Sequence, residues 1–139
     1  MEVEVGTEIP AVAVDVRAEH MKVFSLLSFD PNPIHWDVAA VAAAGLGDRL
    51  VNQGGLNVAY VVNAAVAWAG GRERLRGFTV RFLGNVYADE VVTARGIVTG
   101  VSEESGGRVA ELDVWLERED GTKVVAGTAT VALPAGDGS

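Results

Sequence analysis

Eight consecutive residues, Asp30-Pro31-Asn32-Pro33-Ile34-His35-Trp36-Asp37, bring together two carboxylates, a carboxamide and an imidazole. Two of the four prolines and one of the two histidines of the chain lie here. Pro31 and Pro33 each fix a φ angle and bar an ordinary helix, so the stretch reads as a rigid loop. Rigidity lowers the entropy cost of holding reactive groups in place. Asp30 and His35 can address one water as a general acid–base pair, since histidine is the side chain best suited to trading a proton near neutral pH. Asn32 can bond the loop backbone or orient that water. Stabilisation of negative charge must come from elsewhere. Gln53-Gly54-Gly55 opens a long apolar stretch, and the first N–H groups of a helix are unpaired donors at its positive end. Glycine there admits a substrate carbonyl closely. A water-handling pair beside an oxyanion donor suits addition of water to an α,β-unsaturated thioester, or its removal from a 3-hydroxyacyl thioester.

Blander readings of the same residues stay open. Asp-Pro-Asn-Pro also makes a stiff structural turn, with Asn and Asp in backbone bonds. Gly54-Gly55 also serves as a plain helix start. Asp30, His35 and Asp37 form a thin ligand set with no second cluster behind it, so no metal is expected. No G-x-S-x-G is present, which removes the usual serine-hydrolase elbow.

The elements that must hold this loop follow from periodicity. Residues 11–16 are β-branched and short and read as a strand; 17–27 carry Met21, Phe24, Leu26 and Leu27 at helical spacing, with His20 on the surface. Residues 37–44 read as a short alanine-rich helix capped by Asp37 and stopped by Gly45. Residues 46–53 are irregular. Residues 56–68 are apolar nearly all round, the mark of a buried helix, which Gly70-Gly71 ends. Strands are expected over 75–83, 89–101, 108–119 and 123–133. Turns at Gly84-Asn85, Ser105-Gly106-Gly107 and Asp120-Gly121 separate them, and the last is a strong hairpin signal. Residues 134–139 form a polar tail. The expected fold is α+β: a curved antiparallel β-sheet wrapped around a long central helix, the hot-dog fold, in one domain over 1–139. The open edges of such a sheet call for a dimer.

Bulk composition sets limits. A chain of 139 residues is one domain with a real core. Its net charge of −8 argues against nucleic acid. No apolar run is long enough for a membrane span, no secretory signal is visible, and the absence of cysteine removes disulfide and thiolate chemistry; a cytoplasmic protein is expected. Local positive charge remains: Arg72, Arg74, Arg76 and Arg81 read either as a solvated strand end or as phosphate contacts.

The run Asp30-x-Asn32-Pro33-Ile34-His35-x-Asp37, with alanines at 39, 40 and 42–44 and Gly45 behind it, closely resembles the signature of MaoC-like (R)-specific enoyl-CoA hydratases and 3-hydroxyacyl-thioester dehydratases. The resemblance extends over about residues 16–133. It implies a loop overhanging a hot-dog fold, with Asp30 and His35 activating the water that adds at Cβ. A backbone N–H at Gly54 or Gly55 would hold the thioester oxygen, with Asn32 and Gln53 beside the substrate. Departures are Phe29 where the family usually has Gly, Gln53-Gly54 in place of His-Gly, and Val62 or Asn63 in a region where a serine is common. The resemblance implies an acyl-CoA or acyl-carrier-protein substrate, with coenzyme A as part of the substrate, no separate cofactor, and Arg72, Arg74, Arg76 and Arg81 as phosphate contacts. Leu56, Tyr60 and Trp36 are candidate walls of an acyl tunnel, Tyr60 reading first as core packing. The segment from Val51-Asn52 to Trp68-Ala69-Gly70 is similar to actinobacterial MaoC-like proteins that act on bulky acyl-CoAs, some as two-chain assemblies. The expected assembly is a homodimer or heterodimer of hot-dog subunits. Two rival functions are a non-catalytic acyl-CoA-binding subunit and a hot-dog thioesterase.

Overall fold

Strict alternation of apolar and polar residues, broken by glycine turns, builds most of the molecule. The computed structural model describes residues 2–28, 32–104 and 106–134. In chain order the elements are β1 (Val12–Asp15), α1 (Ala18–Ser28), a 3₁₀ turn (Pro33–His35), α2 (Val38–Ala43), α3 (Gly54–Ala69), a second 3₁₀ turn (Arg72–Arg74), β2 (Leu75–Phe82), β3 (Val91–Glu104), β4 (Gly107–Arg118) and β5 (Lys123–Leu133). All pairings are antiparallel, and the spatial order is β1-β3-β4-β5-β2. This is the expected hot-dog fold, a curved sheet with the long helix packed on one face.

The covered face is set by the period of two. Leu112, Val114 and Leu116 of β4, and Val125, Ala129 and Val131 of β5, are no more than 2% exposed. Their neighbours Asp113 and Thr128 face outward. The β4–β5 hairpin turns at Asp120-Gly121 as expected: Gly121 adopts φ 86° and the Thr122 N–H donates to Asp120 Oδ1 at 2.9 Å. Asp37 caps α2 by accepting from the Ala39 N–H at 3.0 Å. Strand β3 begins two residues later than its apolar pattern suggests, because Asp89 takes a left-handed conformation (φ 69°) and turns the chain. His20 is exposed. Of the expected tail, residues 135–139 lie outside the described residues. Among the described residues no helix is long and apolar enough to cross a membrane.

Helix α3 begins at Gly54, and Gly70, in the left-handed region at φ 108°, ends it. One expectation needs correction. The helix is apolar nearly all round, yet it is buried on one side only, through Asn57, Val61, Ala64, Ala65, Val66 and Ala69. Val58, Ala59 and Val62 are half-covered, and Asn63 and Ala67 are exposed. A single sheet covers a single side of a helix, so this chain leaves the second apolar side open. Strands β1 and β2 are the sheet edges.

The β2–β5 pair is unusually close at Gly127, which sits opposite Val80. A Cβ there would run into the Thr79 carbonyl oxygen and approach Val80 Cα to 2.8 Å. Gly127→Ala should therefore destabilise the fold by about 2–3 kcal/mol, read as a lowered denaturation midpoint at unchanged m.

Candidate active site

The reactive loop is organised by its own caps. Asn32 accepts a hydrogen bond from the Ile34 N–H at 3.3 Å, with Pro33 in the first position of the short 3₁₀ turn. The turn ends at His35, and Asp37 starts α2, so the loop is pinned at both sides of the imidazole. His35 is 7% exposed, and its Nδ1 lies 2.6 Å from the Val51 carbonyl oxygen. A carbonyl only accepts, so Nδ1 carries the proton of this bond, and in the neutral form of the ring Nε2 is the basic nitrogen. That is the tautomer a general base requires. The Val51 N–H in turn donates to the Ile34 carbonyl at 3.0 Å, so residue 51 holds the loop by two bonds. Asp30, the expected partner of His35, lies outside the described residues, as do Phe29 and Pro31.

The next two residues connect this loop to the helices. The Asn52 N–H donates to the Val86 carbonyl at 2.6 Å. Its side-chain Nδ2 donates to Asn57 Oδ1 at 2.8 Å and to the Tyr60 hydroxyl at 3.2 Å. Gln53, 2% exposed, donates from Nε2 to the Met21 carbonyl and to Ser25 Oγ, both at 2.8 Å. That amide nitrogen is engaged with α1. The Gln53 carbonyl accepts from the N–H groups of Leu56 and Asn57, each at 3.1 Å, and opens α3.

Gly54 and Gly55 occupy the first two positions of α3, where N–H groups have no intrahelical acceptor. The need for glycine here is spatial. A Cβ on Gly54 would approach the Phe82 ring to 3.1 Å, and one on Gly55 the Phe24 ring to 3.2 Å. Two phenyl rings thus wall the helix start, and its donors meet a partly apolar setting in which their dipoles count for more. From Gly55 an open groove of about 360 Å³ runs along α3 past Val58, Val62 and Val66, with Leu75 and Phe78 on its far wall.

The candidate walls and cations are dispersed. Leu56 and Tyr60 are half-buried, and Trp36 is 47% exposed. Burial pushes the Tyr60 hydroxyl above the usual tyrosine range, partly offset by its bond from Asn52. Of the four arginines, Arg72 ends the groove, Arg74 has a buried Nε with no partner among the described residues, and Arg76 lies 3.8 Å from Glu104. These three follow the C-terminal end of a helix about 24 Å long, the opposite end from Gly54. Arg81 stands apart, next to Phe82. The four do not form one patch. Among the described residues no group of three or more His, Asp or Glu could hold a metal ion.

The Asn52–Asn57–Tyr60 network is the part that residue spacing did not reveal. Its signal was present: Asn57 lies in a largely apolar run, four and seven residues ahead of the core positions Val61 and Ala64, with Asn52 five residues before it. An amide in such a place must be hydrogen-bonded.

Comparison with known proteins adds family context. A MaoC-like domain model matches residues 2–118. No curated protein sequence matches the chain. Among solved structures, the (R)-hydratase from A. caviae involved in PHA biosynthesis is 27% identical with a TM-score of 0.84, covering 95% of this chain and 98% of that one. The R-hydratase PhaJ1 from Pseudomonas aeruginosa is 22% identical at TM-score 0.81, over 96% of this chain and 84% of that one. The ChsH1–ChsH2 complex from Mycobacterium tuberculosis is 20% identical at TM-score 0.81, over 95% and 99%. The last two are likenesses of fold.

Removing the amide that joins α1 to the start of α3 should cost stability. Gln53→Leu strands the Met21 carbonyl and Ser25 Oγ and is expected to lose about 1–3 kcal/mol by chemical denaturation. His20→Ala, on the exposed side of α1, should stay within about 0.5 kcal/mol of the parent.

Proposed function

Because the chain belongs to the MaoC-like domain family, we propose that it reversibly hydrates a trans-2-enoyl thioester, the reverse step being dehydration of a (3R)-3-hydroxyacyl thioester. One observation carries the reading. The His35 ring is held through Nδ1 by the Val51 carbonyl, and Val51 lies three residues before Gly54, the first of the two glycines whose N–H groups have no intrahelical acceptor.

The chemistry follows from those parts. As the oxygen of water bonds to Cβ, a proton leaves it for the acid–base pair, with Asp30 and His35 as that pair. The π electrons move toward the thioester oxygen, where the Gly54 or Gly55 N–H stabilises the developing charge. Cα then takes up the proton that the pair removed from the water, so the pair is regenerated and atoms and charge balance. Asn32 caps the turn that carries His35 and so fixes the direction of the ring. The acyl chain occupies the groove that starts at Gly55, next to the polarising donor, and the substrate is a CoA ester or the corresponding carrier-protein ester. The groove is wide and open, which favours a bulky acyl chain. The uncovered side of α3 and the free edge of β2 support an assembly of two hot-dog subunits, identical or different.

Crotonyl-CoA and a bulky enoyl-CoA should both lose their conjugated absorbance in the presence of the protein. Asp30→Asn and His35→Ala should each lower kcat at least ~100-fold. Release of free thiol without hydration would point to a thioesterase instead, and saturable binding without turnover to a partner subunit. Val62→Phe narrows the groove, so the ratio of kcat/KM for the bulky ester to that for crotonyl-CoA should fall about tenfold.

A further inference from the structure

The outer face of the sheet carries a trough of about 260 Å³ that lies away from both the loop and the groove. Arg81 of β2 and Trp115 of β4 both pair with Ala126 of β5, so the three form one row across the strands. At ~4.8 Å per strand, guanidinium and indole arise about 10 Å apart over a methyl-sized floor. Gly127, where no side chain fits, and Thr128 extend that floor. Lys123 Nζ sits 4.5 Å from the centroid of the Trp115 ring.

The charges can be followed one by one. The indole N–H donates to Glu117 Oε1 at 2.9 Å, and the same oxygen lies 2.8 Å from Arg95 Nε. The wall is thereby held in place, and Glu117 is neutralised. Asp113 also lines the trough. Arg81 and Lys123 have no ion-pair partner among the described residues. The trough is therefore locally cationic, on a chain whose net charge is −8. Its position matters as much as its sign: Arg81 is the immediate neighbour of Phe82, whose ring walls Gly54 on the other face of the same strand.

We propose that the Arg81–Lys123–Trp115 trough binds the phosphoryl-bearing end of the thioester's carrier. This rests on the hydratase reading for the identity of the ligand, and it separates Arg81 from Arg72, Arg74 and Arg76, which take no part. Two carriers share this chemistry: coenzyme A, through its nucleotide phosphates, and carrier-protein phosphopantetheine, through its phosphodiester.

The direct test titrates the intact protein with adenosine 3′,5′-bisphosphate and with inorganic phosphate, watching tryptophan fluorescence, and uses Trp115→Phe to assign the signal. Arg81→Ala and Lys123→Ala should each weaken binding about tenfold, the worth of one charge-assisted bond. Turnover supplies the second arm. Arg81→Ala should cut kcat/KM for the enoyl-CoA about tenfold more than for the enoyl-pantetheine ester, which has no phosphoryl group. An equal loss on the carrier-protein ester assigns the trough to the shared phosphodiester; loss confined to the CoA ester assigns it to the nucleotide. Undiminished nucleotide binding in both variants, or equal losses on the CoA and pantetheine esters, would overturn the proposal. Nucleotide binding that is lost in the variants, with no hydration of any enoyl thioester, would leave the anion site standing and sink the hydratase reading. Hydration of enoyl-CoA without nucleotide or phosphate binding would do the reverse.

Discussion

The hydrogen bonds of residues 51–53 tie together the described parts of the candidate site. These three residues carry no reactive group, yet each holds a different element. Val51 takes the His35 proton donor on its carbonyl and gives its own N–H to Ile34, which fixes the loop. Asn52 bonds back to Val86 and forward to Asn57 and Tyr60, which fixes the helix against the strand connections. Gln53 reaches α1 with its side chain and opens α3 with its carbonyl. A buried polar group must find partners or cost the fold free energy. Here that requirement ties together the His35 loop, α1 and the start of α3.

The precision has a physical source. Backbone carbonyls and N–H groups have no rotamers of their own, so a ring held by a carbonyl is held by the fold itself. The loop contributes the rest through proline and through the Asn32 and Asp37 caps. His35 is thus determined from both directions, by local turn chemistry and by one distant main-chain oxygen. That combination is what preorganisation would require of the role proposed for His35.

Much of this was legible in the order of residues, and the reasons differ by element. The strands were legible because alternation has one interpretation when one face is covered. The β4–β5 hairpin was legible because Asp-Gly has strong turn preferences. The cap at Asp37 and the end of α3 followed from side-chain and backbone chemistry that acts within a few residues. The long-range bonds were not legible. Nothing local tells His35 to choose Val51, sixteen positions away, or Gln53 to choose Met21 and Ser25. The arginines illustrate the same limit: close in sequence, Arg74 and Arg76 line one small cavity, Arg72 ends the groove along α3, and Arg81 stands on the outer face of the sheet. Burial of α3 was overestimated for a related reason. Apolarity reports that a face will be covered, not that its own chain will cover it.

That last point bears on how the helix serves two purposes. Its inner side is lined by Val61, Ala64, Ala65 and Ala69, small enough to lie close to the sheet, and is interrupted only by Asn57, whose amide is satisfied by Asn52. Its outer side uses Val58 and Val62, with the buried Val66 at the boundary, and lines a groove with Leu75 and Phe78. An apolar side left open in this way is costly in water. On the proposed function, a long acyl chain and a second subunit would each cover part of that surface, whose groove is walled by α3, Leu75 and Phe78. In that arrangement a subunit would roof the groove and the acyl chain would fill it. Acyl binding and assembly then draw on the same apolar surface, and selection for one acts on the residues of the other.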